Sequence, residues 1–213
     1  MPAAGKAAKA AKLKRKDPKQ KRSSVLVDAL LETATRILSK RELDETSTNQ
    51  IAELAGISIG SFYQYFPNKE SLASAVMAKI LEVHAGFDEE LEKKNPNAGP
   101  EEKIKITLDY FFSHFMKHRT LFRVLGRHVF RINQFENLVK TRLGIKDAIA
   151  RSILKSQPSL ATERAEAMAW VTVTSVAGVL ESIAFIDISD EKVSAVQAET
   201  EKMLISYLHL SSN

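Results

Sequence analysis

The sequence predicts an all-α protein, on three observations. Glycine (8) and proline (6) are scarce in a chain of 213 residues, while alanine, leucine, glutamate and lysine, all good helix formers, are plentiful. Apolar residues recur three and four apart from about Ser24 to the end, and no segment alternates as a strand would. Helix start and stop residues punctuate that pattern at intervals of one to four turns. The expected architecture is about nine helices: a small N-terminal three-helix unit joined through a long fourth helix to a larger C-terminal bundle.

The first helix is expected from about Ser24 to Lys40, on Leu26, Leu30, Ala34, Ile37 and Leu38. The second starts at Ser47, whose hydroxyl with Gln50 three residues on fits a capping box. It carries Ile51, Leu54 and Ala55 and ends at Gly56, which tolerates the left-handed turn. The third starts at Ser58 and stops at Phe66, because Pro67 disfavours helical geometry at the residue before it. Asn68 caps the fourth, whose stripe runs through Leu72, Val76, Ile80, Val83, Phe87 and Leu91 to the break at Asn95–Pro100. Five more helices are expected at about 100–117, 120–130, 134–155, 159–186 and 189–208.

Composition excludes several classes. Without cysteine, disulfides, thiolate metal sites and cysteine nucleophiles are ruled out. The N-terminus lacks the apolar run of a secretory signal. The longest uncharged stretch, Ala167 to Leu180, falls short of the ~20 residues that cross a bilayer. A soluble, cytoplasmic (nucleoid-associated) protein with no membrane partner is expected. The net charge of +5 is uneven: residues 1–22 hold nine lysines and arginines against Asp17 alone, so the remainder is mildly acidic. A basic arm on an acidic body suits a polyanion partner, and equally suits a solvated, disordered tail.

The third helix needs explaining. Phe62 and Phe66, four apart, share one face and can pack with Ile57 on the first two helices. The result is a three-helix core with a tight glycine turn, a helix-turn-helix. Gly60 costs helix stability, by about 1 kcal/mol in a helix interior, unless a missing side chain lets the backbone approach something closely. Ser58 and the first-turn N–H groups offer donors to an anion. Tyr63 and Tyr65 offer hydroxyls to phosphates, and Gln64 can read a base edge in a major groove.

The stretch TSTNQIAELAGISIGSFYQYFPNKESL, Thr46 to Leu72, resembles the DNA-binding signature of the tetracycline-repressor (TetR) family of bacterial transcription regulators, and the likeness extends through the first helix. The resemblance implies a sequence-specific transcriptional regulator, a repressor released from a pseudo-palindromic double-stranded DNA operator by an unidentified small-molecule effector, acting as a homodimer. It implies that Ser47 and Thr48 hold phosphates, that Ser58, Ile59, Gly60 and Gln64 face the groove, and that Tyr63, Tyr65 and Lys69 grip the backbone. The domains would be a disordered basic arm (1–22), a helix-turn-helix DNA-binding domain (23–69) and a ligand-binding and dimerisation domain (70–213). One departure stands out: Glu42 occupies the turn position after the first helix where the family usually has glycine.

Elsewhere the residues leave alternatives open. His114 and His118 are four apart, with His128 beyond, but no HExxH pattern accompanies them, and Lys117, Arg119, Arg123 and Arg127 would repel a cation. No metal and no cofactor are expected. Neither a GxSxG elbow nor a glycine-rich phosphate loop is present, so an enzyme is not expected. A helical small-molecule-binding or catalytic bundle, or a sequence-independent DNA-coating protein, remain the alternatives. Tyr110, Phe111, His114, Phe115, Phe122 and Trp170 could be core, or as a set could line an apolar pocket, where the resemblance implies an inducer site. Met168, Val171, Ser175, Val179 and Ile183 on the eighth helix, with Met203 and Tyr207 on the ninth, form stripes that could serve intramolecular packing or a dimer interface.

Overall fold

The computed structural model describes residues 18–82, 87–186 and 188–209. The elements among them are ten helices: α1 (Pro18–Leu38), α2 (Thr48–Leu54), α3 (Ile59–Tyr65), α4 (Lys69–Glu82), α5 (Phe87–Lys94), α6 (Pro100–Lys117), α7 (Arg119–Arg127), α8 (Phe135–Ser156), α9 (Thr162–Phe185) and α10 (Asp190–His209). Two boundaries differ from the sequence expectation. Helix α1 is described from Pro18, inside the basic segment; residues 1–17 of the arm lie outside the described residues. The expected fourth helix is described in two parts, α4 and α5, and residues 83–86 between them, Val83 included, lie outside the described residues.

The N-terminal unit is built as its capping residues dictate. Ser47 Oγ accepts from the Gln50 N–H at 3.2 Å and starts α2. Gly56, at φ 68°, ends it: the Ile57 N–H reaches Ala52 O and the Gly56 N–H reaches Glu53 O, each at 3.0 Å, the paired bonds of a Schellman motif. Ser58 Oγ accepts from the Ser61 N–H at 3.1 Å, and Phe66 turns extended before Pro67. Asn68 Oδ1 accepts from the Ser71 N–H at 2.8 Å and opens α4.

Leu30, Ala34, Ile51 and Phe62 meet in the core of this unit, with Ile57 packed at its edge. That core does not stop at the third helix. It runs on through Leu72 and Val76 of α4 to Leu121, Val124 and Leu125 of α7, so the N-terminal unit is closed by two helices of the rest of the chain rather than by α4 alone. A second core joins Leu108 and Phe112 of α6 to Leu180 of α9 and Leu204 of α10. A third joins Ala150 and Ile153 of α8 to Ala165, Met168 and Ala169 of α9.

Helix α9 is long and apolar enough to cross a membrane by length and composition, yet its buried side chains lie in both C-terminal cores, which accounts for the composition. Arg119 holds its far end. The guanidinium donates to Ile183 O (3.0 Å), Ile186 O (2.6 Å) and Ile188 O (3.2 Å), satisfying carbonyls that a helix C-terminus leaves without partners.

Candidate nucleic-acid interface and C-terminal cavity

Helix α3 divides cleanly into a buried and an open side. Phe62 is fully buried and Phe66 nearly so, whereas Ser58, Ile59, Gly60, Tyr63 and Gln64 are exposed. Gly60 sits in the first turn, where a Cβ would meet only Ser58 Oγ, at 3.8 Å. Packing within the chain therefore does not require glycine at this position. Thr48 Oγ1 and Tyr63 Oη lie 3.1 Å apart, tying the start of α2 to the open side of α3. Tyr65 is half-buried against the N-terminal core.

Lys69 is engaged within the chain. Its ammonium donates to Leu43 O (2.8 Å), Thr46 O (3.1 Å) and Asp44 O (3.3 Å). An ammonium has three N–H donors, and here all three hold the loop between α1 and α2. Lys69 shapes the surface in front of α2 rather than reaching out from it.

The same loop is gripped from the other side by residues that sequence reasoning missed. Arg127 donates to Glu42 at 2.9 Å. Arg131, in the turn between α7 and α8, donates to Asp44 and to Glu70, each at 2.5 Å. Beneath them, buried Gln134 donates to Ser74 Oγ at 2.7 Å. The hydrogen bond from Arg131 holds the Asp44 carboxyl below its usual range. For Glu70, burial pushes the carboxyl upward, and the Arg131 bond with the neighbouring cations more than offsets it. Glu42 needs no glycine-like backbone: among the described residues Asn133 is the single non-glycine with positive φ. The side chain at that turn is instead a partner for Arg127. The clue in the sequence was charge complementarity, an acidic RELDE loop against arginines four apart, but the two lie far apart in the chain.

In the C-terminal bundle a cavity of about 1540 Å³ lies among α4 to α10, larger than the ~300–1,000 Å³ usual for small-molecule sites. Phe111, Phe115 and Phe122 line it as expected. Tyr110, His114 and Trp170 do not. Tyr110 stacks on Phe87 (ring centroids 4.1 Å apart), and the half-buried His114 rests against His118; burial lowers the pKa of both histidines. Trp170 points out of the bundle, 53% exposed, to one side of Ala169 and Val173, which face inward. The polar groups missed in the wall include Arg142, paired with Glu181, and Lys103 and Lys155, paired with Glu92. Among the described residues no three His, Asp or Glu side chains are grouped to hold a metal ion.

The expected interface stripe also splits. Met168 and Ile183 are core residues of the monomer, and Tyr207 packs half-buried on the third core. Val171 and Met203 remain exposed, with Ser175 and Val179 half-buried beside them. Helix α9 is packed on several sides, so its stripe divides between the core and the surface.

A helix-turn-helix carried on a cavity-bearing helical bundle defines the class of protein. Two family profiles then narrow it: residues 30–76 match "Bacterial regulatory proteins, tetR family" and residues 100–208 match "Tetracyclin repressor-like, C-terminal domain". The chain belongs to the tetR family of bacterial regulators, which are DNA-binding proteins and not enzymes.

Among curated relatives, the HTH-type transcriptional regulator EthR of Mycolicibacterium smegmatis is 37% identical over 91 residues, 42% of this chain and 41% of that protein. TtgR of Pseudomonas putida is 38% identical over 55 residues, 26% of each chain. The chain thus matches less than half the length of either. Solved structures extend the likeness in fold to nearly the whole chain. A putative TetR-family regulator from Mesorhizobium loti has a TM-score of 0.66 at 17% identity, covering 89% of this chain and 96% of that one. The fatty acid degradation regulator FadR from Bacillus halodurans has a TM-score of 0.56 at 18% identity, covering 94% and 97%.

Proposed function

We propose that the protein is a homodimeric transcriptional repressor in the cytoplasm that binds a pseudo-palindromic operator through α2 and α3 and leaves it when a small molecule enters the C-terminal cavity. The observation that carries the reading is the open side of α3: a short helix, anchored by Phe62, whose exposed turn is stripped to Ser58, Ile59 and Gly60 with no packing reason for the glycine. In this reading Ser47 and Thr48 hold phosphates at the start of α2. Ser58, Ile59, Gly60 and Gln64 enter the major groove, and Tyr63 and Tyr65 offer hydroxyls to the backbone. Lys69 acts from behind, by fixing the loop that precedes α2.

So short a helix reads too few base pairs to be selective alone, and two copies on a two-fold axis solve this. The exposed Trp170, Val171 and Met203, beside the half-buried Ser175 and Val179, are the apolar surface that α9 and α10 would give to a second copy. Coupling would run through α4. Met77, Ala78 and Leu81 line the cavity, and the other end of the helix follows α3 directly at Asn68. A ligand that prefers the DNA-incompatible spacing of the two α3 helices by about 100-fold supplies roughly 2.7 kcal/mol per site. Selection of bound sequences from a random DNA pool tests the reading. An inverted repeat with half-sites about 34–36 Å apart, or a little more, is expected; recovery of no motif, or of an asymmetric one bound by a monomer, overturns it.

A further inference from the structure

The two ends of the cavity differ in charge balance. Near one end Arg142 of α8 meets Glu181 of α9, one cation to one anion. The other end lies thirteen residues further along α8, about 20 Å at ~1.5 Å per residue. There the single carboxylate of Glu92 is shared: Oε1 accepts from Lys103 of α6 at 2.7 Å and Oε2 from Lys155 of α8 at 2.9 Å. Both lysines line the cavity, as do Glu89, one turn before Glu92, and Arg151, one turn before Lys155, so three cations face two carboxylates at this end and leave one positive charge in excess. Lys103 keeps only 18% of its side chain in solvent, whereas Lys155 is 69% exposed. Each ammonium gives one of its three donors to Glu92 and has two left. Between the two ends the wall given by α6, α7 and α9 is largely apolar, with Leu108, Phe111, Phe115, Phe122 and Leu180, whereas α8 adds Asp147 and Ser152.

We propose that the cavity takes an elongated apolar monocarboxylate, its head on Lys103 and Lys155 and its chain lying along Leu108, Phe111 and Phe115 of α6 toward Phe122. This rests on the reading of the cavity as the effector site. One excess charge fixes the head as a monoanion: a neutral head leaves it uncompensated, and a polyphosphate head brings more negative charge than the two lysines balance. The length of the apolar wall asks for a chain rather than a compact ring, because each further buried methylene strengthens binding about fourfold while wall remains to be covered.

The test is calorimetry on the DNA-free protein with dodecanoic acid, octanoic acid, 1-dodecanol and dodecanoyl-CoA. Dodecanoate is expected to bind at least about tenfold more tightly than 1-dodecanol, as charge-assisted hydrogen bonds require, and more tightly than octanoate. The Lys103→Met/Lys155→Met double variant should bring the acid down to the affinity of the alcohol. Lys155→Met alone, at a side chain 69% exposed, should give a partial loss with the fold intact. The proposal is overturned if the alcohol matches the acid, if both lysine variants bind the acid unchanged, if the thioester binds and the acid does not, or if none of the four binds. Because no DNA is present, these outcomes are independent of operator recognition. Tight dodecanoate binding that leaves a selected operator complex intact would count against effector release alone.

Discussion

The N-terminal unit and the C-terminal bundle use their aromatic side chains in opposite ways. In the first, Phe62 and Phe66 are buried among Leu30, Ile51 and Leu72, and what they fix is the position of an outward-facing surface. In the second, Phe111, Phe115 and Phe122 border empty space, and what they shape is an inward-facing one. The lesson is that a fixed surface needs a filled interior, whereas a receptive interior gives up packing that would otherwise stabilise the fold.

That contrast predicts unequal costs for the same substitution. Phe62→Ala removes a fully buried ring from a closed core and should destabilise by ~3–5 kcal/mol. Phe111→Ala enlarges a cavity that already exists and removes a ring that is only half-buried, so it should cost well under half as much. Urea unfolding of both variants measures the difference, and equal costs would break the comparison.

A smaller effect separates the surface from what supports it. Lys69→Met leaves Leu43 O, Asp44 O and Thr46 O without their shared donor, and should destabilise by ~1.5–3 kcal/mol, the range for hydrogen bonds to a charged group. DNA affinity should fall because the loop before α2 loosens, while the slope of affinity against salt stays as it was. A lysine on a phosphate would instead reduce that slope by about one. A flattened slope would restore Lys69 to the contact surface.

Legibility followed the same division. Ser47, Gly56, Ser58, Pro67 and Asn68 act on backbone within a few residues of themselves, so their roles could be read in order along the chain. The all-α fold and most helix limits were legible for the same reason. Where Trp170, Met168 and Ile183 lie was not legible, because which way a helix stripe faces depends on neighbours far off in the chain, and α9 has neighbours on several sides. The hold on Lys69 was not legible, because the loop carbonyls that accept from it have no sequence signature. Lys103, Lys155 and Glu92 come from three helices, and no local spacing links them.

The smallest effect lies where the two regions meet. Arg131 stands in the turn after α7 and binds Asp44 before α2 and Glu70 in the first turn of α4, so it touches both elements that position α3. Exposed ion pairs stabilise little, and Arg131→Ala should lower the melting temperature only slightly at neutral pH. The sign of its pH dependence is nevertheless fixed. Both carboxyls titrate below their ordinary values of 3.8 and 4.5 in the folded chain, so the unfolded chain binds more protons in the window just beneath those values. The stabilisation is therefore fully present above about pH 4.5, the ordinary Glu70 value, and is lost as the pH falls through the folded values. Melting curves of wild type and Arg131→Ala should differ near neutrality and converge under acid. If they stay apart once both carboxyls are protonated, Arg131 supports the junction by packing its stem rather than by charge. The N-terminal unit would then be joined to the bundle through its continuous apolar core alone.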